Sequence, residues 1–128
     1  MNILLVEDSK FLSASVAKVL GKQGYTVSTA KDGEEGLRRA RETAPELIVL
    51  DMMLPKISGL DVLSFLKQHR GTQDIPVIVL TSLSERNTEK LLQAGAAAFV
   101  PKSEALLEND ARALIQTIHR VIGEPVQQ

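Results

Sequence analysis

The sequence contains no cysteine and no tryptophan, and its aromatic residues are three phenylalanines and one tyrosine. Without cysteine there can be no disulfide framework, no thiolate zinc site and no thiol nucleophile. So few aromatic side chains argue against the stacking platforms on which single-stranded nucleic acid binds. Because the chain has no cysteine, a reducing compartment, the cytoplasm, is the expected location.

A charge excess and long apolar runs are also lacking. The formal net charge is −1 at pH 7, so no overall field would draw the protein to nucleic acid or to an acidic membrane surface. The longest apolar stretches, such as Pro76–Leu80, are far shorter than the roughly 20 residues that cross a bilayer. The N-terminus lacks the basic region and cleavage site of a secretory signal. We therefore expect no membrane contact and no direct nucleic-acid contact.

What is present fits one folded domain, because 128 residues with 44% hydrophobic residues can build one core but not two. We expect this domain to cover residues 1–123 and residues 124–128 to form a short C-terminal tail. Most of the five short apolar runs are continuous rather than alternating, as in strands that are buried on both faces of a parallel sheet. The five runs are Ile3–Val6, Tyr25–Thr29, Leu47–Leu50, Val77–Leu80 and Ala97–Val100.

Segments with helical periodicity lie between these runs, at about residues 12–20, 32–42, 58–66, 84–94 and 107–121. Asp32 with Glu35 and Ser58 with Asp61 have the spacing of helix N-caps. The strand–helix alternation repeats five times, which predicts a parallel α/β sheet with right-handed crossovers and helices on both faces. The fourth helix has few apolar residues, so we expect it to pack loosely.

Polar side chains follow four of the five predicted strands. In an open α/β sheet the carboxyl ends of the strands form the ligand site, so we expect these side chains to converge on one edge. The residues concerned are Glu7 and Asp8 after the first strand, Asp51 after the third, Thr81 and Ser82 after the fourth, and Lys102 after the fifth.

This set resembles the receiver domain of bacterial two-component response regulators, over nearly the whole chain. The resemblance implies a flavodoxin-like (βα)5 fold with strand order 2-1-3-4-5, an order for which a receiver protein is a known example. It also implies that Asp51 accepts a phosphoryl group from a sensor histidine kinase. The matching stretches are Ile3–Ser9, Leu47–Pro55 with Gly59, Val79–Ser82 and Phe99–Lys102.

A divalent cation is expected at the carboxylates, because clustered negative charges repel strongly at short range. Oxygen ligands with open positions suit Mg²⁺ or Mn²⁺. We assign Asp8 and Asp51 as direct ligands and expect Glu7 to act through a metal-bound water. The resemblance adds the backbone carbonyl of Met53 as a further ligand.

The remaining positions fill roles around the phosphoryl group. Thr81, Ser82 and Lys102 are expected to contact it, Lys102 as a point charge. In the family the hydroxyl at Thr81 and an aromatic residue, here Phe99, move together as the switch. Met53 and Leu83 occupy positions that influence hydrolysis of the phosphoryl group in the family. The apolar side chains of Met53 and Leu83 cannot orient a water, which predicts a fairly long-lived phosphoryl state.

Structural explanations exist for several of these residues taken singly. Glu7 and Asp8 can be a helix-capping pair, Asp51 a turn former, and Phe99 a core residue. Most receivers have proline after the lysine, whereas Ser103 follows Lys102 here. The stretch from Ser103 to Asn109 is long before the final helix, and Leu106 and Leu107 suggest a short helical turn within it.

Two enzyme classes of similar fold are disfavoured by single residues. A phosphatase of the haloacid dehalogenase type needs an Asp where Met53 stands, and a dinucleotide-binding enzyme needs a glycine-rich turn after the first strand. A phosphorylation-independent interaction module with the receiver fold is the remaining alternative. As a receiver the chain would not be an enzyme, because it accepts the phosphoryl group itself and turns over no separate substrate.

The resemblance also implies partners. The phosphoryl donor would be a sensor histidine kinase or a phosphotransfer protein, and the target a downstream protein or an attached output domain. The fourth and fifth helices are a candidate surface for a homodimer formed on phosphorylation. The sequence does not distinguish a stand-alone receiver from one domain of a longer regulator.

Overall fold

The computed structural model describes residues 1–81, 85–102, 104–107 and 111–123, without the side chains of residues 85–88, 104 and 105. Ser82, Leu83, Ser103 and the predicted tail, residues 124–128, lie outside the described residues. Among the residues that are described, no helix is long and apolar enough to cross a bilayer.

The chain alternates strands and helices along its length, as predicted. The strands are β1 Asn2–Val6, β2 Thr26–Ala30, β3 Leu47–Asp51, β4 Val77–Thr81 and β5 Ala98–Pro101. The helices are α1 Lys10–Lys22, α2 Gly33–Thr43, α3 Gly59–Gln68, α4 Glu85–Gln93 and α5 Arg112–Ile122, with a 3-10 turn at Glu104–Leu107. All four strand pairs are parallel, and the order is β2-β1-β3-β4-β5. The flavodoxin-like (βα)5 prediction is confirmed.

Three helices begin at polar side chains that accept a hydrogen bond from the first turn. Ser9 caps α1, Asp32 caps α2 through Oδ1 at 2.8 Å from the Glu35 nitrogen, and Ser58 caps α3. Each cap satisfies one of the amide groups that a helix start leaves without an intrahelical partner. The predicted caps at Asp32 and Ser58 are confirmed, and these caps fix where each loop above the sheet ends.

Residues from both faces of the sheet form the core. One cluster joins the sheet to α1 and α5, and the other joins it to α2, α3 and α4. Every residue of β3 and β4 is buried, whereas the edge strands β2 and β5 are buried only in part. Central strands buried on both faces explain why their sequences are continuous apolar runs.

Most predicted boundaries differ from the structure by one or two residues. The short helical turn expected at Leu106 and Leu107 is the 3-10 turn Glu104–Leu107, and α5 begins after it at Arg112, where Ala111 adopts a left-handed backbone (φ 57°) before the helix. Strands β3 and β4 extend one residue further than their apolar runs, so that Asp51 and Thr81 are the last residues of their strands. Helix α4 has Leu91 buried but Leu92 46% exposed, in line with the loose packing expected of it.

Candidate functional site

Strand register brings the predicted residues to one edge of the sheet. Val6 pairs with Leu50, and Asp51 pairs with Leu80, so the last residues of β1, β3 and β4 lie side by side. The backbone N–H of Lys102 donates to the Thr81 carbonyl at 2.8 Å, which extends the row to the end of β5.

Three carboxylates meet at this edge. One oxygen from each of Glu7, Asp8 and Asp51 lies within 4.8 Å of the other two. Glu7 is 2% exposed and Asp51 is fully buried, whereas Asp8 is exposed. Charges of one sign at this separation repel, and partial burial strengthens the repulsion because water no longer screens it.

Lys102 is the cation that faces this cluster. Its Nζ lies 2.8 Å from Asp51 Oδ2 and 3.1 Å from Glu7 Oε1. Burial opposes the positive charge, but the hydrogen bonds and charges of Asp51 and Glu7 outweigh it and raise the pKa of Lys102 above its ordinary value. The ammonium group therefore stays charged and ties the two buried carboxylates together.

The surroundings of Glu7 disfavour its negative charge. Oε1 accepts hydrogen bonds from the Ser9 backbone N–H at 3.1 Å and from Lys102. Oε2 is buried with no hydrogen-bond partner among the described residues. Burial, assisted by the charge of Asp51 and opposed by the Ser9 and Lys102 hydrogen bonds, raises the pKa of Glu7 to about 7.

Asp51 is held by groups on both of its carboxylate oxygens. The Met53 backbone N–H donates to Oδ1 at 3.0 Å, while Lys102 binds Oδ2. The loop after β3 is closed by a hydrogen bond of 3.2 Å from the Gly59 N–H to the Met52 carbonyl. The loop backbone is thus folded over the carboxylate, with Met53 next to it and the Met53 side chain 66% exposed.

These residues fit a hard divalent cation such as Mg²⁺ or Mn²⁺. Three carboxylates supply oxygen ligands of the kind such ions prefer. The orphaned Glu7 Oε2 is a buried acceptor that lacks a donor among the described residues, and buried polar atoms of this kind are usually satisfied by an ion or water. The repulsion within the cluster would be relieved by the ion's two positive charges.

The structure places the other predicted residues as follows. Thr81 is buried at the end of β4, 3% exposed. Phe99 lies on the edge strand β5, half-buried against the cluster beneath α2, α3 and α4. The core interpretation and the switch interpretation of Phe99 are both compatible with this position. Ser82 and Leu83 fall outside the described residues.

The structure does not bear out the helix-capping interpretation of Glu7 and Asp8. Ser9, not Glu7 or Asp8, is the N-cap of α1, and Glu7 accepts from the Ser9 N–H immediately before the helix. Two features were missed from the sequence. Phe11, in the first turn of α1, is 75% exposed, and Lys56 reaches Asp32 across two loops. The Lys56 contact has no local sequence signal, because it depends on how the two loops pack.

Comparison with known proteins gives a consistent result. The family model of the response regulator receiver domain matches residues 3–116. Response regulator RR06 of Streptococcus pneumoniae is 38% identical over 119 residues, which cover 91% of this chain and 54% of that protein. The chain thus spans about half the length of this curated relative.

Two solved structures with the same fold contain a divalent cation. The receiver domain of sensor histidine kinase PA1611 from Pseudomonas aeruginosa, with magnesium in its active-site cleft, gives a TM-score of 0.81 at 27% identity, covering 96% of this chain and 98% of that one. The Mn²⁺-bound form of response regulator Rcp1 gives a TM-score of 0.78 at 32% identity, covering 98% and 96%.

Proposed function

Because the chain belongs to the family of response regulator receiver domains, we propose that Asp51 accepts a phosphoryl group and that this modification switches the protein between two partner-binding states. The donor is a phosphohistidine on a sensor kinase or phosphotransfer protein. The observation that carries the proposal is the buried Asp51 carboxylate, held by Lys102 on one oxygen and by the Met53 N–H on the other.

The transfer is a displacement at phosphorus. A carboxylate oxygen of Asp51 forms the new O–P bond while the N–P bond of the phosphohistidine breaks, and the leaving imidazole takes up a proton. Lys102 moves its ammonium group from the free carboxylate to the phosphoryl oxygens. A cation held by Asp8, Asp51 and the Met53 carbonyl, with Glu7 acting through water, would neutralise phosphoryl charge in the loose transition state.

The switch would start at the carboxyl end of β4. Thr81 ends that strand, and its carbonyl accepts the Lys102 N–H; its hydroxyl, with that of Ser82, would bind a phosphoryl oxygen. Phe99, two residues before the end of β5, would repack as Thr81 moves. Because Phe99 has no hydroxyl, this change rests on packing alone. The free energy comes from phosphoryl contacts that differ between two pre-existing states.

The downstream response would use the surface formed by α4, β5 and α5. A target protein, an output domain or a second copy of the chain is the expected partner there.

Met53 and Leu83 are apolar and cannot orient a hydrolytic water, which supports a fairly long phosphoryl lifetime.

The rim of the site offers contacts to a protein donor. Asp51 itself is fully buried, so a donor protein must cover the surface around it to bring a phosphohistidine within reach. Phe11, three residues after Asp8 in the first turn of α1, and Met53, two residues after Asp51, have exposed side chains, 75% and 66%. A donor protein that covers these side chains would remove their apolar area from water, which would favour the contact.

The test is phosphorylation by a small phosphodonor such as phosphoramidate in the presence of Mg²⁺. We expect intact-mass measurement to show one added phosphoryl group on the wild type, none on Asp51→Ala, and none on the wild type in excess chelator. Asp61→Ala, which removes an exposed carboxylate from the first turn of α3, is the matched control and should be phosphorylated normally. A wild type that takes no phosphoryl group would instead indicate a phosphorylation-independent interaction module.

A further inference from the structure

The loop between β3 and α3, residues 52–58, packs against the start of α2. A Cβ built on Gly33, the first residue of α2, would lie 2.9 Å from the Ile57 carbonyl oxygen and 2.7 Å from Val62 Cγ2. Ile57 also packs against the core cluster on this face. The helix start and the loop are therefore in direct backbone contact, and Met53 lies on the same loop.

Lys56 joins the two segments by its side chain. Its Nζ lies 3.5 Å from Asp32 Oδ2 and 3.8 Å from Glu34 Oε2. Its backbone has a φ of 68°, the left-handed region that side-chain-bearing residues adopt only at a cost. A glycine would relieve this strain, yet the position carries a lysine whose amino group is directed at α2.

Asp32 is a rigid partner for this contact. It is 5% exposed, and its Oδ1 accepts the Glu35 N–H that caps α2. That backbone hydrogen bond, opposed by burial and assisted by Lys56 and Lys31, lowers the pKa of Asp32 below its ordinary value. The carboxylate is thus charged and fixed at one oxygen, so its other oxygen offers Lys56 a defined anchor.

We propose that Lys56 and Asp32 are positioning residues for the divalent cation: their ion pair holds the β3–α3 loop so that the Met53 carbonyl is presented to the ion. This inference rests on the proposed function, because it needs the carboxylate cluster to bind a cation. Neither side chain is itself a ligand. Their contribution comes from the ordering of the loop before the ion arrives, which lowers the cost of binding.

The proposal predicts a different direction of change in Mg²⁺ affinity from the one that long-range electrostatics alone would give. Removing the positive charge of Lys56 should strengthen cation binding if only the long-range field matters, because an ion at the site is then repelled less. Removing the negative charge of Asp32 should weaken it by the same reasoning. If the ion pair positions the loop, both substitutions weaken binding, and the second has little further effect once the first is made.

The experiment is calorimetric titration of the purified protein with Mg²⁺ alone, for Lys56→Ala, Asp32→Asn, the double variant and Lys56→Arg. Asn retains the helix cap that Asp32 provides, so the comparison isolates the ion pair. Lys31→Ala is the matched control, because it removes an exposed lysine that precedes Asp32 and makes no ion pair with the described side chains. Thermal unfolding without Mg²⁺ accompanies each titration.

We expect Lys56→Ala and Asp32→Asn each to raise the Mg²⁺ dissociation constant about two- to fivefold, the range that an ion pair open to solvent at its lysine supports. The double variant should have the same Mg²⁺ dissociation constant as whichever single variant binds Mg²⁺ more weakly. Lys56→Arg should bind Mg²⁺ like the wild type. Lys31→Ala should bind equally or more tightly. All variants should keep the metal-free unfolding temperature within about a degree or two of the wild type, since Asn keeps the helix cap and an ion pair whose lysine is exposed adds little stability.

Two other results have distinct meanings. A Lys56→Ala variant that binds Mg²⁺ as well as or better than the wild type overturns the positioning role while leaving the proposed function intact. A wild type that binds no Mg²⁺ overturns the proposed metal site, and the positioning role with it.

Discussion

Gly59 begins α3 with no room for a side chain. A Cβ at this position would lie 2.5 Å from the Met52 Cα and 2.6 Å from the Asp51 carbonyl oxygen, where ordinary contacts are 3.4–4 Å. Both atoms belong to the backbone, so no rotamer change relieves the clash. Gly59→Ala must push the helix start away from the loop by nearly an ångström.

The change in unfolding free energy caused by Gly59→Ala can be compared with that caused by the same substitution at a glycine with open space around it. Forced overpacking costs about 1–3 kcal/mol, and a backbone clash belongs at the upper end, so we expect Gly59→Ala to lose about 3 kcal/mol of unfolding free energy. A Cβ at Gly21, in α1, would have nothing within 4 Å of it. There the better helix propensity of alanine should add about 0.5–1 kcal/mol.

Urea unfolding followed by circular dichroism measures both variants, since the chain has no tryptophan for fluorescence. We expect the midpoint of Gly59→Ala to fall and that of Gly21→Ala to rise, with unchanged slopes. Because the loop displaced by Gly59→Ala holds the Asp51 carboxylate through the Met53 N–H, Mg²⁺ binding should weaken as well. Equal destabilisation by the two substitutions would refute the steric argument.

Two further substitutions test the charge of Glu7 within the site and the role of Phe11 in contacting a protein donor. The pKa of Glu7 is raised from 4.5 to about 7, so its charged form destabilises the folded state, by roughly 1.4 kcal/mol for each pKa unit. In metal-free buffer above about pH 7, the uncharged substitution Glu7→Gln should therefore raise the unfolding free energy by up to about 3 kcal/mol. The gain should fade as the pH is lowered toward 4.5, where the folded wild type is protonated at Glu7; a pH-independent gain in denaturant titrations would contradict this reasoning. Phe11→Ser should slow phosphoryl transfer from a protein donor without changing the rate with phosphoramidate, since only the protein contacts the rim. A variant slowed equally with both donors would show that Phe11 acts within the site instead.

The fold and the convergence of the site followed from local signals in the sequence. The apolar runs predicted all five strands, and the rule that parallel strands share a carboxyl edge predicted that Glu7, Asp51 and Lys102 lie together. The helix starts at Asp32 and Ser58 were predictable because a cap acts over three residues. These features share one property, which is that each depends on neighbours in the sequence or on a general rule of topology.

The contacts that escaped prediction are those between loops. The ion pair of Lys56 with Asp32 joins residues 24 positions apart through a left-handed backbone, and no sequence pattern marks either condition. The apolar stripe of the last helix includes Leu107, but this residue belongs to the short turn expected before the helix, which is 3-10 in form, and α5 begins only at Arg112. The extension of β3 to Asp51 was missed because a charged residue is not expected inside a buried strand.

Among the described residues, three carboxylates are paired with one ammonium group, that of Lys102, which binds Glu7 and Asp51. Under the proposed function this has a thermodynamic consequence: a cation and a phosphoryl group that meet at Asp51 would be coupled ligands, each supplying charge that the other needs. Coupling of this kind is reciprocal. If the cation shifts the phosphorylation equilibrium by some factor, phosphorylation would raise the affinity for the cation by the same factor. The cellular level of free divalent cation would therefore help to set how much of the protein is in its phosphorylated state at a given donor supply.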